Sequence, residues 1–317
     1  MRFLGIDPHT DCDAVAEVVI ANTHKLKIIS FTDKKTDKVD AEKLARIIKM
    51  QVLSGEQQVH PVPIPPKVVQ DLRALFTTYR LLTKEITSTK NRIHSLLKQN
   101  LFQLSRESIF NKKNRATVRG ISNDVTFSFQ LNLLFDSLEH LEMSMEKLTS
   151  DILIAAAPFI HEIDILTSMK GISVIAAAAV MSDIISVGHF QDSKHFAYHL
   201  RSTLGVQSLN EKMIIKRTNK AERKMTMVFL SQCAYHCRDA DQNLSRWYDK
   251  LTEYKKKGLV RMGLCRRVIT QLYQMLKKDE YCYHMDTTNH DTKMTVYRSF
   301  LAKQGVRIEG DAYKIAS

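Results

Sequence analysis

Two aspartates three positions apart, Asp37 and Asp40, sit in the string Lys35-Thr36-Asp37-Lys38-Val39-Asp40-Ala41, which reads as the opening turn of a helix. At that spacing both carboxylates point the same way. Converging carboxylates suit a hard divalent cation such as Mg²⁺, which takes oxygen ligands. A third aspartate, Asp7, ends the first apolar run, Phe3-Leu4-Gly5-Ile6. An aspartate at a strand end, facing a helix with two more, is an arrangement for metal-dependent phosphoryl transfer. A structural reading stands beside it: Asp37 suits an N-cap, and Asp40 at N3 suits the positive end of the helix dipole. A second group, Cys233, His236, Cys237, Cys265, Cys282 and His284, invites zinc. Its spacing is not that of a knuckle or ribbon, and buried helix cysteines account for it better.

The bulk charge points to a partner. The 317 residues carry a net +13, and between Arg201 and Lys278 there are 18 Lys and Arg against 6 Asp and Glu. A field concentrated in one segment points to a polyanion, most simply nucleic acid; the alternative is a solvated basic surface. The candidate phosphate contacts are Lys212, Lys216, Arg217, Lys220, Arg223, Lys224, Lys255, Lys256 and Lys257, and the charge continues through Arg238, Arg246, Arg261, Arg266 and Arg267. Tyr235, Trp247, Tyr248 and Tyr254 are interleaved, either to stack on bases or to fill a helix core. Five unclustered cysteines fit a reducing cytoplasm. The chain has no apolar run near 18 residues and no basic-then-apolar leader, so neither a membrane span nor secretion is expected.

The elements that position these residues are mostly helical. Residues 3–7, 14–20 and 26–31 read as short strands, and a helix runs from Asp37 to about Leu53. Residues 59–66, with Pro61, Pro63, Pro65 and Pro66, form a stiff linker. Two heptad runs follow: Leu72, Leu75, Tyr79, Leu82, Ile86, Thr89, Ile93, Leu96, Asn100, and then Leu131, Leu134, Leu138, Leu141, Met145, Leu148, Ile152. Joined by a polar loop over 104–121, they predict an antiparallel coiled-coil hairpin of about 45–60 Å across 67–160. Residues 161–285 read as a basic helical domain and 286–317 as a polar tail. Within Leu166–Ala177, Lys170 and Gly171 resemble a helix-hairpin-helix turn that offers backbone N–H groups to a phosphate; a plain helix turn is the equal alternative.

Gly5-Ile6-Asp7 and the Lys35–Ala41 string resemble two signatures of the DEDD transposases of bacterial mobile elements, the insertion-sequence 110 family, relatives of the Piv/MooV DNA invertases. The likeness continues more loosely to about residue 285. It implies a Holliday-junction-resolvase-like N-domain in which Asp7, Asp37 and Asp40 hold Mg²⁺. It also implies DNA recombination in a bacterial cytoplasm, a structured guide RNA as partner, and oligomer contacts through the hairpin arm. Thr203–Ser208 resembles the place of the family's nucleophilic serine, which makes Ser208 the candidate; by itself it reads as a loop residue. Ile214–Lys220 resembles the Lys-Arg string that follows. The chain departs from the family in one respect. The family places a glutamate on a strand between its first two aspartates, whereas here only the 29 positions 8–36 intervene, with Glu17 their sole glutamate and in a different context. The expected fold is therefore mainly α with a small N-terminal α/β part: a truncated resolvase-like (RNase H-like) domain over 1–58, the helical hairpin, and a helical C-terminal domain. The expected function is Mg²⁺-dependent DNA strand cleavage and transfer in transposition. The alternative is a catalytically dead remnant that still grips nucleic acid. A pure scaffold is disfavoured by the charge of 201–278.

Overall fold

The computed structural model describes residues 37–55, 64–200, 202, 204–209, 212–218, 225–309 and 312–315. The three expected N-terminal strands and Asp7 lie outside the described residues. The chain divides into two units, Met1–Pro66 and Lys67–Ser317. In the first unit, α1 spans Asp37–Ser54. Gly55 follows it with φ +68 and returns its N–H to Gln51 O at 3.0 Å, a glycine stop of the usual left-handed kind.

The second unit is mainly helical. Helix α2 (Lys67–Gln99) and helix α5 (Val125–Ala155) are its two long elements. At 1.5 Å per residue they reach about 50 and 46 Å. Leu72 and Phe76 near the start of α2 share one core with Leu148 and Ile152 near the end of α5. Ile93 and Leu97 at the far end of α2 share another with Phe127, Leu131, Phe135 and Leu138. The two helices therefore run antiparallel. The seam between these ends is only half-buried at Tyr79, Leu82, Ile86, Leu141 and Met145.

The polar segment expected as a reversing loop is more ordered than its composition suggested. It holds two short helices, α3 (Arg106–Phe110) and α4 (Arg115–Arg119). Each supplies one fully or nearly buried apolar side chain, Ile109 and Val118, to the outer core. Ser105 starts α3 by accepting from Ser108 N at 3.2 Å, and Asp124 starts α5 by accepting from Phe127 N at 2.6 Å. Capping replaces the partners that first-turn N–H groups lack. Arg115, only 8% exposed at its side chain, bridges to Glu142 at 2.8 Å, and Arg119 bridges to Asp136 at 2.8 Å and Glu139 at 3.1 Å. These pairs lock α4 onto α5.

The body of the unit is built around α7 (Val174–Asp183), in which Ala176 to Ser182 are all buried. Its alanines let α2, α5, α6 (Ile160–Thr167) and α9 (Met225–Ala240) approach closely. Arg73 of α2 donates to the carbonyls of Ser182 and Asp183 at 2.6 and 3.1 Å, and so caps the C-terminus of α7. Helices α8 (Ser193–His199), α10 (Gln242–Thr252) and α11 (Lys257–Lys278) complete the packing. Strands β1 (Leu204–Leu209) and β2 (Lys212–Thr218) form an antiparallel hairpin where a loop was expected.

The segment expected as a polar tail is part of the core. Helix α12 (Thr287–Lys303) inserts His290, Met294, Tyr297 and Leu301 on one stripe, and Tyr297 donates its hydroxyl to Leu153 O at 2.9 Å. Strands β3 (Val306–Glu309) and β4 (Ala312–Ile315) close the described chain as a second hairpin. Among the described residues no helix is long and apolar enough to cross a membrane.

Candidate nucleic-acid interface

The candidate catalytic residues fall in different places. Asp37 and Asp40 lie in the first turn of α1, in the first unit. Ser208 lies in the second unit, in β1, opposite Met213 of β2. It is a strand residue, not the loop residue its polar neighbours suggested. Lys212, Lys216 and Arg217 are in β2, with Lys212 opposite Leu209. Lys220, Arg223 and Lys224 lie outside the described residues.

Lys170 and Gly171 occupy the turn between α6 and α7. Gly171 has φ +101, and a Cβ built there would stand 2.6 Å from Cys237 N and 2.9 Å from His236 C. The turn thus lies directly on the backbone of α9, and only glycine fits. Gly171→Ala should cost about 3 kcal/mol, combining left-handed strain with overpacking against backbone. A melting curve on the variant checks this, and an unchanged Tm would show that the turn does not rest on α9. Ser173 starts α7 by accepting from Ala176 N at 3.3 Å.

The four described cysteines are buried. Burial pushes the Cys237 thiol up from 9.0 to about 12, with the neighbouring cysteines acting in the same direction, and burial pushes Cys265 up to about 11. Such thiols stay protonated and serve as small apolar groups. Because the folded-state pKa is the higher one, their contribution is intact below pH 9 and is lost as pH rises from 9 toward 12. The denaturant midpoint should hold to about pH 8.5 and fall above it, and a thiol reagent should label these cysteines only on unfolding. Labelling at the native rate of a free thiol would contradict their placement.

Of the aromatic residues of the basic segment, Tyr235, Trp247 and Tyr248 sit in packed positions faced by arginines. Trp247 lies over α11 where Gly263 leaves room, since a Cβ there would be 3.2 Å from its ring. The guanidinium of Arg267 stands 4.1 Å from the Trp247 ring centre. Arg238 lies between Tyr248 and Tyr235, at 4.8 and 5.4 Å from their ring centres. Such cation–π contacts hold rings and cations together without neutralising the charge. Tyr248 is buried, whereas Tyr254 is 64% exposed. The helix-core reading therefore holds for Tyr248, and Trp247 and Tyr235 pack against the same core.

The distribution of carboxylates separates two kinds of basic surface. On the hairpin arm Lys90, Lys112, Arg115 and Arg119 each face a carboxylate of α5 within 3.4 Å. Helix α11 is different. It carries Lys257, Arg261, Arg266, Arg267, Lys277 and Lys278 and no Asp or Glu at all. Residues 266 and 277 are separated by 11 positions, close to three helical turns, so Arg266, Arg267, Lys277 and Lys278 share one exposed stripe. Its one ion pair among the described residues is the loose contact of Lys278 with Glu280 at 3.9 Å. Lys255, Lys256 and Lys257 are exposed where α10 gives way to α11. Cations of one sign repel, and the first turn of a helix disfavours them further. The stripe is a basic surface to which its own helix contributes no carboxylate. The charge of this segment is legible in the sequence; how few carboxylates face α11 among the described residues depends on which helices meet.

Two family descriptions match the sequence. A DEDD transposase family, that of IS110, matches residues 12–101. A transposase family described as IS116/IS110/IS902 matches residues 163–249. Together the matches cover more than half of the chain. No curated protein matches it.

Proposed function

The chain belongs to the IS110 family of transposases, and from that premise we propose that it holds nucleic acid on the α10–α11 face during transposition of an insertion sequence. The carboxylate-free stripe of α11 is the observation that carries this reading. Counterion release from a polyanion would relieve its self-repulsion. Transposases of this family generally use a divalent metal. The residues that would hold Mg²⁺ are Asp7, Asp37 and Asp40, an all-oxygen donor set of the kind that ion prefers. Bound there, the ion would supply charge stabilisation at a DNA phosphate. In the proposal Ser208 Oγ attacks that phosphate, forming a phosphoserine ester as one P–O bond to a deoxyribose breaks, and the sugar oxygen leaves as a hydroxyl that takes up the proton the serine gives up. A serine needs a base or metal to activate it, and nothing beside Ser208 in sequence provides one. Guidance by a structured RNA and assembly into an oligomer belong to the same proposal.

A second reading, a remnant that binds nucleic acid with little or no chemistry, is favoured by one observation. The 29 positions between Asp7 and Asp37 contain one glutamate, Glu17, in a context unlike that of the family's glutamate. A site with one carboxylate fewer holds the attacking and leaving oxygens less firmly, and about 1 Å of misplacement costs about a hundredfold in rate. Incubation with Mg²⁺ or Mn²⁺, element-end DNA and flanking RNA, followed by a denaturing gel, separates the readings. The remnant reading expects no protein-linked DNA above the level of Ser208→Ala. An adduct that disappears in both Ser208→Ala and Asp37→Ala would establish a working recombinase.

A further inference from the structure

The loop between α11 and α12 holds an aromatic side chain in water on a fixed backbone. Cys282 N donates to the buried Ser168 Oγ at 2.9 Å, and Asp286 Oδ2 faces Lys170 Nζ at 3.2 Å. These two contacts pin the loop to the Gly171 turn on both sides of residues 283 and 284. Tyr283 is nonetheless 93% exposed, its ring met edge-on by His284 at 5.0 Å. Aromatic rings gain most of their energy by being covered, so a ring held out on an anchored turn is arranged to be covered by something else.

Beside this loop a cavity of about 380 Å³ opens between the 170–173 turn, the end of α9 and the start of α12. Lys170, Lys293, His236 and Asn289 line it, with Asp239 as the facing carboxylate. Asp239 is ion-paired to Arg238, and Asp286 is held by Lys170 and by Asn289 N at 3.1 Å. Lys293 Nζ donates to Ile172 O at 3.0 Å and Thr167 O at 3.4 Å, which uses two of its three N–H groups. Burial holds its ammonium below the usual lysine range, so an anion there would restore what desolvation removes. A cavity with room for a phosphate and two ammonium groups, next to an anchored loop that carries an uncovered ring, suits one nucleotide.

We propose that Tyr283 and His284 stack an unpaired nucleobase while the Lys170–Lys293 cavity takes a phosphate of the same strand, making the Gly171 turn a single-strand contact. The proposal rests on the reading that the protein binds nucleic acid, and adds that one of its contacts reads unpaired nucleotides. A duplex keeps its bases stacked on each other and offers Tyr283 nothing to cover. Unpaired DNA and unpaired RNA present the same chemistry, and the test separates them.

The test uses the full chain and labelled oligo(dT), oligo(U) and duplex DNA of equal length in anisotropy titrations. Tyr283 is so exposed that Tyr283→Ala should leave the Tm unchanged. Tyr283→Ala should weaken binding to one or both single strands by at least about fivefold, the low end of one base–aromatic stack. Its duplex affinity should stay within about twofold, since phosphate contacts carry duplex binding. Loss on only one of the two strands supports the site and identifies its ligand. Lys170→Gln should lower the single-strand salt slope by about 0.7, one phosphate contact. Unchanged single-strand affinity in Tyr283→Ala, or an equal loss on duplex, overturns the proposal. If the unaltered protein binds none of the three probes, nucleic-acid binding itself fails. If it binds them with a steep salt slope but ignores Tyr283, only this contact fails.

Discussion

Replacing Arg266, Arg267, Lys277 and Lys278 together with glutamine should abolish tight DNA binding while leaving the protein folded. All four are exposed on α11. Their removal deletes no core contact, apart from the loose cover that Arg267 gives Trp247 and Lys277 gives Tyr273. Each phosphate contact contributes about 0.9 to the slope of log K against log salt on B-DNA. Four lost contacts would lower the slope by about 3.6, and near 0.1 M salt the affinity falls on the order of a thousandfold. The same change on the arm gives the opposite pattern. Glutamine at Lys112, Arg115 and Arg119 breaks pairs with Glu146, Glu142 and Asp136. Arg115 is nearly buried, so stability should fall while DNA affinity changes little. Equal binding losses in the two variants would mean that net charge alone, not the α11 stripe, attracts the nucleic acid. Anisotropy titrations and melting curves on both variants decide this.

Leu138→Asp should melt the outer half of the hairpin. Leu138 is fully buried beside Ile93, Leu97, Leu131 and Phe135. The substitution removes a core side chain and buries a carboxylate without a partner, a loss of about 4–5 kcal/mol or more. The outer apolar core is separate from that of the body, and along the seam between them the apolar side chains are half-buried, with Thr89 the buried polar residue. The outer half should therefore unfold first, giving two transitions in circular dichroism where the parent protein shows one. A single transition at the parent temperature would show that the outer core does not hold the arm.

The long helices were legible because their apolar residues repeat with a helical period over more than 20 residues, and burial at both ends of the seam followed from that period. The short roof helices α3 and α4 were not, since five-residue helices gain their stability from the core they cover rather than from their own sequence. Helix α12 was readable in principle. His290, Met294, Tyr297 and Leu301 follow helical spacing, but the polar residues between them hid the stripe. The β1–β2 hairpin was missed because a strand's stability comes from the partner it pairs with. Of the candidate site, the sequence placed Asp37 and Asp40 on one helix turn and located the basic segment. It could not show that the exposed cations of α11 meet few carboxylates among the described residues, nor that Lys293 and the loop from Cys282 to Asp286 come to the Gly171 turn, because those facts arise from segments more than a hundred residues apart.

The central claim is that this transposase carries a nucleic-acid surface built from the cations of its C-terminal helices. Its most direct test is a fluorescence-anisotropy titration of the full chain against labelled duplex DNA over a range of salt concentrations. With about eight phosphates contacted, log K should fall by about 7 for each decade of salt. A flat salt dependence, or no binding at low salt, would contradict the account.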